Sequence, residues 1–191
     1  LGHRPQPPPE DEDLARVLLP ILRRIFAKHR FRDGQVRGIR AAIQGQDRLI
    51  LLPAGHGKSL IFQIASFLLP GTTLVVEPLR ALIDDQVQNL RKEGISRCAG
   101  NHRDSQELGS LEEKALIYLA PERLYISSFE EPLKELIGGR GIDLLVVDEA
   151  HSVSECGHSF RPAYLGFRGR LLHLCRTAKR PRPKPPTLCL T

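Results

Sequence analysis

The fold is decided by one stretch, Leu49-Ile50-Leu51-Leu52-Pro53-Ala54-Gly55-His56-Gly57-Lys58-Ser59. A short apolar run followed by a Gly-x-Gly-Lys-Ser turn predicts a buried strand, a phosphate-binding loop and a helix. Backbone N–H groups in this turn can converge on an anion, and the helix that follows adds the positive end of its dipole. We therefore expect Gly55, His56 and Gly57 to surround nucleotide phosphates, with Lys58 on the β- and γ-phosphates and Ser59 on Mg²⁺.

A second stretch carries complementary chemistry, Leu144-Leu145-Val146-Val147-Asp148-Glu149-Ala150-His151. Its apolar run has the length of a strand and ends in two adjacent carboxylates, which a parallel sheet would present at the edge where such folds bind ligands. Asp148 is placed to hold Mg²⁺, directly or through water, and Glu149 to orient and deprotonate an attacking water. Together the two stretches predict hydrolysis of a magnesium-bound nucleotide.

Composition narrows the class of protein. The chain has 191 residues, 41% of them hydrophobic and 26% charged, which suits one domain with a substantial core. No apolar run approaches the roughly 20 residues that span a bilayer, so no membrane partner is expected. The 28 basic residues outnumber the 22 acidic ones and favour a polyanionic partner. The four cysteines lack C-x₂-C spacing, which fits a reducing intracellular compartment, nuclear in a eukaryote or cytoplasmic in a bacterium.

Order along the chain predicts the architecture. Residues 1–13 are rich in proline and acidic residues and are expected to form a disordered lead-in, with Asp13 as the N-cap of the first helix. Residues 14–191 then alternate segments of helical and strand periodicity. That alternation predicts an α/β fold, a three-layer parallel sheet with helices on both faces and right-handed crossovers.

In this order the motifs resemble those of the RecQ family of DNA helicases, specifically the first of their two RecA-like lobes. The resemblance runs from about Phe26 to Thr191 and implies a RecA-like, P-loop NTPase lobe. The matching segments are Phe31–Gln35 for adenine recognition, Pro53–Gln63 for the phosphate loop, Thr73–Val87 for motif Ia, Tyr118–Leu124 for the Pro-Glu-Arg-Leu segment, Asp148–Tyr164 for the Asp-Glu-Ala-His motif with its aromatic-rich loop, and Leu188–Thr191 for the start of motif III.

The resemblance also implies roles for individual residues. Arg32 and Gln35 would contact adenine, and His151 and Arg161 would link the nucleotide to a second lobe and to DNA. His158, Phe160 and Arg161 would contact single-stranded DNA in the loop that couples DNA binding to ATP hydrolysis. The implied cofactors are ATP and Mg²⁺. The implied partners are single-stranded or forked DNA and a second RecA-like lobe of the same chain, with the present chain truncated before that lobe.

By the family pattern the whole protein is an ATP-dependent helicase that translocates 3′ to 5′, and the isolated lobe has little activity. An arginine from the second lobe is worth roughly 10³–10⁵ in rate in such enzymes.

Three positions depart from the family pattern. Cys156 stands where the loop has a tryptophan, Glu77 where motif Ia has a serine, and Lys28 where an aromatic residue stacks on adenine. Glu77 and Cys156 favour an alternative from another class, an ATP-gated scaffold that changes conformation in a larger complex without unwinding DNA, or a non-unwinding nucleic-acid-dependent ATPase in such a complex. An RNA helicase is a third hypothesis, which the adenine and loop motifs disfavour.

A basic segment follows Tyr164 and contains Arg168, Arg170, Arg176, Lys179, Arg180, Arg182 and Lys184. Prolines at 181, 183, 185 and 186 interrupt its later part. We expect this segment to be an extended, non-helical loop that either lies along a nucleic-acid backbone or only solubilises the protein.

Overall fold

The computed structural model describes residues 9–101, 113–153, 162–180 and 183–191. Its strands are β1 (Arg48–Ile50), β2 (Thr72–Val76), β3 (Cys98–Asn101), β4 (Leu116–Leu119), β5 (Ile142–Val147) and β6 (Thr187–Leu190). Its helices are α1 (Pro9–Phe26), α2 (Gln35–Ile43), α3 (Ser59–Leu68), α4 (Arg80–Lys92), α5 (Ser127–Gly138) and α6 (Pro162–Thr177). Two single 3₁₀ turns span Pro121–Tyr125 and Ala150–Val153.

The strands form one parallel sheet between two layers of helices. Its order is β1-β6-β5-β2-β4-β3, and every pairing among the described strands is parallel. One face packs on α1 to α4 through a core that includes Leu22, Ile61 and Val146, and the other packs on α5 and α6 through Leu133, Leu145 and Leu174. Because side chains alternate along a strand, each central strand supplies both cores. The predicted three-layer α/β fold is confirmed. The predicted burial of the strand before the phosphate loop is wrong, because β1 is an edge strand of the described sheet and its Arg48 and Leu49 are exposed.

Strand register brings four strand ends to one edge of the sheet. Ile50 of β1 pairs with Leu190 of β6, Val147 pairs with Cys189, and Val76 of β2 pairs with Val147. The segments that leave these strands are the turn before Lys58, the Asp148–Glu149 pair, Glu77 and Thr191. Parallel strands place their carboxyl ends together, and that edge binds ligands in open α/β sheets.

The first helix begins earlier than the sequence predicts. It starts at Pro9, before the expected N-cap Asp13, and continues through Pro20. Asp11 is buried, and its carboxylate lies 3.1 Å from Nε of Arg40 on α2 and 3.8 Å from Nε of Arg37. The acidic residues of the first turn also stabilise the helix, because their negative charges lie at the positive end of its dipole. Tertiary ion pairs therefore extend the helix into residues whose composition predicted disorder.

The basic segment after Tyr164 is helical in its first part, so its prediction as an extended loop is wrong there. Arg168, Arg170 and Arg176 lie on α6, which ends at Thr177, ahead of the prolines. The helix is held by buried apolar residues at helical spacing, namely Tyr164, Phe167, Leu171, Leu174 and Cys175. Beyond it, Lys184 pairs with Asp47, which also accepts a hydrogen bond from the Thr187 backbone N–H.

Among the described residues, no helix combines the length and apolarity needed to cross a membrane.

Candidate active site

The phosphate-binding turn joins β1 to α3 at the ligand edge of the sheet. Gly55 and Gly57 have φ values of 71° and 74°, a left-handed conformation that glycine adopts without steric cost. Lys58 immediately precedes the first residue of α3, Ser59, so both lie where the helix presents its unpaired N–H groups and positive dipole end. The turn therefore has the backbone needed to surround phosphate oxygens.

The motif around Gln35 holds this turn from the side. The Gln35 side chain is buried, and its Nε2 donates to the carbonyl oxygens of His56 at 2.9 Å and Gly57 at 3.1 Å. Its Oε1 accepts from the Arg32 backbone N–H at 2.8 Å. The Arg32 guanidinium donates to the Gly55 carbonyl. Both donor hydrogens of the Gln35 amide thus bind the phosphate loop, whereas the resemblance assigned this amide to adenine.

Gly57 fits closely against that amide. A Cβ atom at position 57 would lie 3.0 Å from Gln35 Nε2. The lack of a side chain therefore serves two purposes at Gly57, the left-handed backbone and the close approach of the amide.

The two motifs predicted to act together meet in space. Lys58 Nζ lies 3.4 Å from both carboxylate oxygens of Glu149, although the two residues are 91 positions apart in sequence. Both side chains are partly exposed, at 15% for Lys58 and 29% for Glu149. A lysine that contacts this carboxylate is also within reach of an anion bound at the turn, so the Lys58 ammonium and the Glu149 carboxylate share one cleft.

Asp148 lies deeper than Glu149 at the end of β5. Its Oδ1 accepts the Glu149 backbone N–H at 3.0 Å, and its own N–H donates to the Val76 carbonyl at 3.0 Å. Burial raises the pKa of Asp148, and the negative charge of Glu149 adds to the effect, while the Glu149 N–H and Lys58 oppose it. A cation beside this carboxyl would favour its ionised form.

The oxygen donors here fit Mg²⁺. Magnesium prefers oxygen ligands and binds through one or two carboxylates together with substrate phosphates, so Asp148 and the Ser59 hydroxyl suit it. The part of the chain that the structure describes contains no group of three or more His, Cys, Asp or Glu residues that could hold a metal by themselves. In proteins Mg²⁺ usually keeps several water ligands beside one or two carboxylates and substrate phosphates.

The backbone between the two carboxylates is strained. Glu149 has φ of 47°, in the left-handed region that non-glycine residues rarely adopt and that costs about 1–3 kcal/mol. The Asp148 carbonyl on this peptide accepts a hydrogen bond from the Tyr164 hydroxyl at 3.0 Å. The strain bends the chain sharply after β5 and points Glu149 toward Lys58.

His151 joins the carboxylate motif to the end of β6. Its Nδ1 lies 3.3 Å from Oε2 of Glu149 and 2.8 Å from Oγ1 of Thr191. The structure thus places His151 between the Glu149 carboxylate and the Thr191 hydroxyl. Sequence reasoning missed Thr191 and Tyr164 as site residues, although both lie in segments that it singled out.

Glu77 brings a further carboxyl to the site. It follows β2 directly, and the pairing of Val76 with Val147 places it in register beside Asp148. The side chain is 2% exposed, and its Oε1 accepts the Leu79 backbone N–H at 2.9 Å. Burial raises the pKa of Glu77 to about 7. This residue, a departure from the family pattern, is therefore a neighbour of Asp148 that is only partly ionised near pH 7.

A groove of about 540 Å³ runs along the outer side of β1, separate from the carboxylates. Gly34, Arg37, Arg48 and Leu52 are among its lining residues, whereas Lys58, Asp148 and Glu149 are not. The predicted DNA contacts His158, Phe160 and Arg161, and the departure at Cys156, lie outside the described residues.

Known proteins show similarity to most of this chain. The DEAD/DEAH box helicase family matches residues 32–191. The chain is 36% identical over 172 residues to ATP-dependent DNA helicase Q-like 5 of Arabidopsis thaliana, covering 85% of this chain and 18% of that protein. It is 36% identical over 158 residues to the ATP-dependent DNA helicase RecQ of Haemophilus influenzae, covering 79% of this chain and 25% of that protein. The chain spans a quarter or less of the length of these two relatives.

A solved structure shows the same fold. The crystal structure of the DUF1998 helicase MrfA bound to DNA and AMPPNP superposes with a TM-score of 0.68, at 16% identity, over 97% of this chain and 27% of that one. At this identity the likeness concerns the fold alone. The family match and the RecQ-type relatives confirm the resemblance found in the sequence, and this chain belongs to the DEAD/DEAH box helicase family.

Proposed function

We propose that the chain is the ATP-binding lobe of a RecQ-like, ATP-dependent DNA helicase, in which ATP hydrolysis drives translocation 3′ to 5′ along single-stranded DNA. The observation that carries the proposal is the contact of Lys58 with Glu149 beside Asp148. It unites a phosphate-binding lysine, a water-orienting carboxylate and a buried carboxylate for Mg²⁺ at the ligand edge of the sheet. The names and family of the matching proteins support the assignment to DNA.

Each residue has a defined task in this proposal. Lys58 exchanges its contact with Glu149 for the β- and γ-phosphates when ATP binds, because a phosphate carries more charge than one carboxylate. Glu149, released from the lysine, accepts a hydrogen bond from the attacking water and takes its proton. Asp148 and Ser59 would hold Mg²⁺, which would neutralise charge on the phosphates. His151 lies between Glu149 and Thr191 and passes the state of the nucleotide to the end of β6.

The whole protein completes the site with a second RecA-like lobe. The aligned part of this chain makes up only 18% and 25% of the two relatives, so they have room for that lobe. In phosphoryl transfer an arginine supplied from outside the nucleotide lobe contributes roughly 10³–10⁵ in rate. We therefore expect this chain alone to bind Mg-ATP and to turn it over slowly.

Two substitutions test the hydrolytic roles in the whole protein. Lys58→Ala removes the cation that meets phosphate, and the loss of a charged hydrogen bond should weaken Mg-ATP binding roughly 10- to 100-fold. Glu149→Gln keeps the shape of the side chain without the base, so binding should persist while turnover is lost. Calorimetry with a non-hydrolysable ATP analogue and a phosphate-release assay measure the two effects. Lys92→Ala, an exposed lysine at the end of α4, is the control.

Equal affinity for the ATP analogue in wild type and Lys58→Ala would contradict the phosphate-loop assignment.

The buried Glu77 favours the ATP-gated scaffold as the second candidate, because it places a carboxyl where the family pattern has a hydroxyl. The two candidates differ in what DNA does. A helicase requires turnover that rises with single-stranded DNA and strand separation on a forked duplex. A scaffold binds ATP without either, and a non-unwinding nucleic-acid-dependent ATPase shows the rise in turnover without strand separation.

A further inference from the structure

A hydroxyl on α6 is bound to the peptide that connects the two hydrolytic carboxylates. The Tyr164 hydroxyl donates to the Asp148 carbonyl at 3.0 Å, and the side chain is 2% exposed. Its ring packs at 5.8 Å on the ring of Phe167, which is also buried on α6. Packing therefore fixes the position of the hydroxyl, and burial raises the pKa of Tyr164, so the group remains a hydrogen-bond donor.

The Asp148 carbonyl, which accepts this hydrogen bond, belongs to the peptide that sets the direction of the Glu149 side chain. Strand β5 ends at Val147, so the Asp148–Glu149 peptide lies just beyond the strand, and Glu149 then adopts its left-handed φ of 47°. Rotation of this peptide would move the Glu149 side chain, whose carboxylate contacts Lys58 at 3.4 Å and His151 at 3.3 Å. Both contacts therefore depend on the orientation that the Tyr164 hydroxyl stabilises.

We infer that Tyr164 is a positioning residue for ATP hydrolysis, whose hydroxyl holds the Asp148–Glu149 peptide so that the Glu149 carboxylate faces the phosphate loop. The inference rests on the proposed function. The Tyr164 hydroxyl acts through the backbone, because its hydrogen bond goes to the Asp148 carbonyl and not to Lys58 or the glycine turn. Its loss should therefore lower kcat and leave the KM for ATP nearly unchanged. A displacement of about 1 Å in a reacting group can cost on the order of 100-fold in rate.

A purely structural role makes a different forecast. Buried tyrosines generally find a partner for their hydroxyl, and removing such a bond lowers stability wherever it lies. Tyr118 offers the matched case. It is 1% exposed, its hydroxyl accepts from Gln63 Nε2 at 3.1 Å, and its ring packs edge-on against Phe62. Tyr118→Phe thus deletes a buried hydroxyl that does not bind the Asp148 carbonyl.

The experiment compares Tyr164→Phe with Tyr118→Phe in the whole protein. Both variants should lower Tm by a similar amount, about 2–4 °C. Tyr164→Phe should lower kcat for ATP roughly 10- to 100-fold with KM within about twofold of wild type. Tyr118→Phe should leave both constants within about twofold. The measurements are steady-state phosphate release over a range of ATP concentrations and thermal unfolding.

Several outcomes would overturn the inference. If Tyr164→Phe keeps the kcat of wild type, the inference is wrong. It is also wrong if kcat falls equally in Tyr164→Phe and Tyr118→Phe, because such a fall would reflect lost stability alone. A wild-type protein without ATP turnover rejects the proposed function and the inference together, whereas an active wild type with an equally active Tyr164→Phe rejects only the inference. If Tyr164→Phe does not fold, Phe167→Leu loosens the ring and retains the hydroxyl. A lowered kcat at constant KM supports the inference there, and an unchanged kcat overturns it.

Discussion

A buried carboxyl next to the hydrolytic carboxylates should make the stability of this protein depend on pH. Glu77 is 2% exposed, and its pKa rises from 4.5 to about 7. Burial is the main cause. The Leu79 N–H and Lys58 oppose it, whereas the negative charges of Asp148 and Glu149 add to it. Replacement by glutamine keeps the shape and the acceptor for Leu79 but removes the titration.

The sign of the effect follows from the direction of the change. The unfolded chain releases this proton near pH 4.5 and the folded chain near pH 7, so between these values the folded state binds more protons. Stability is therefore lost as pH rises through this window and levels off above pH 7. At about 1.4 kcal/mol per pKa unit, the difference between the folded and unfolded pKa values of Glu77 lowers the free energy of unfolding by roughly 3 kcal/mol once the carboxyl is fully ionised.

Urea unfolding at pH 5 and pH 8 measures the effect. From pH 5 to pH 8, the free energy of unfolding of wild type should fall by about 2–3 kcal/mol more than that of Glu77→Gln. This difference isolates the contribution of Glu77, because the other titrating groups are present in both proteins. Glu12→Gln, an exposed carboxylate on α1, controls for the change in net charge and should follow wild type. Parallel profiles for wild type and Glu77→Gln, within about 0.5 kcal/mol, would refute the assignment of a raised pKa to this side chain.

Two further substitutions test contacts that the structure revealed. Gln35→Ala removes the two hydrogen bonds to the phosphate loop and should weaken the binding of ATP and GTP together, roughly tenfold, in a competition binding assay. A loss confined to ATP would instead support the adenine role that the resemblance implies. The Arg170 side chain on α6 donates to the Leu124 carbonyl at 3.1 Å and pairs with Glu130 on α5. Arg170→Ala removes both contacts and should lower the free energy of unfolding by about 1–2 kcal/mol, measured by thermal unfolding. The exposed Arg168→Ala is its control, and equal stability of both variants would contradict the described contacts.

The sequence alone predicted the architecture and the chemistry, because both depend on local patterns. An apolar run followed by glycines and Lys58-Ser59 has few physical solutions other than a strand, a phosphate loop and a helix. Alternating strand and helix periodicity then leaves a parallel sheet with covered faces as the compact arrangement. The carboxylates Asp148 and Glu149 were predictable for the same reason, since they directly follow an apolar run of strand length.

Where the prediction from sequence failed, a distant partner decided the outcome. Composition alone made residues 9–13 look disordered, yet Asp11 contacts Arg40 on another helix. The basic residues of α6 looked like a solvated loop because the prolines further along dominated the interpretation. The apolar residues between them gain a core only when α5 and the sheet lie beneath.

Tertiary structure alone decided the orientation of the site. No local rule states that the Gln35 amide binds the phosphate loop or that the Tyr164 hydroxyl binds the Asp148 carbonyl, because each bond joins segments that only folding brings together. The pKa of Glu77 is likewise a property of its surroundings, since a carboxyl titrates near 4.5 until burial removes its water. Sequence determines which groups are present, whereas packing sets their distances and their solvation, and these two quantities control the electrostatics of the site.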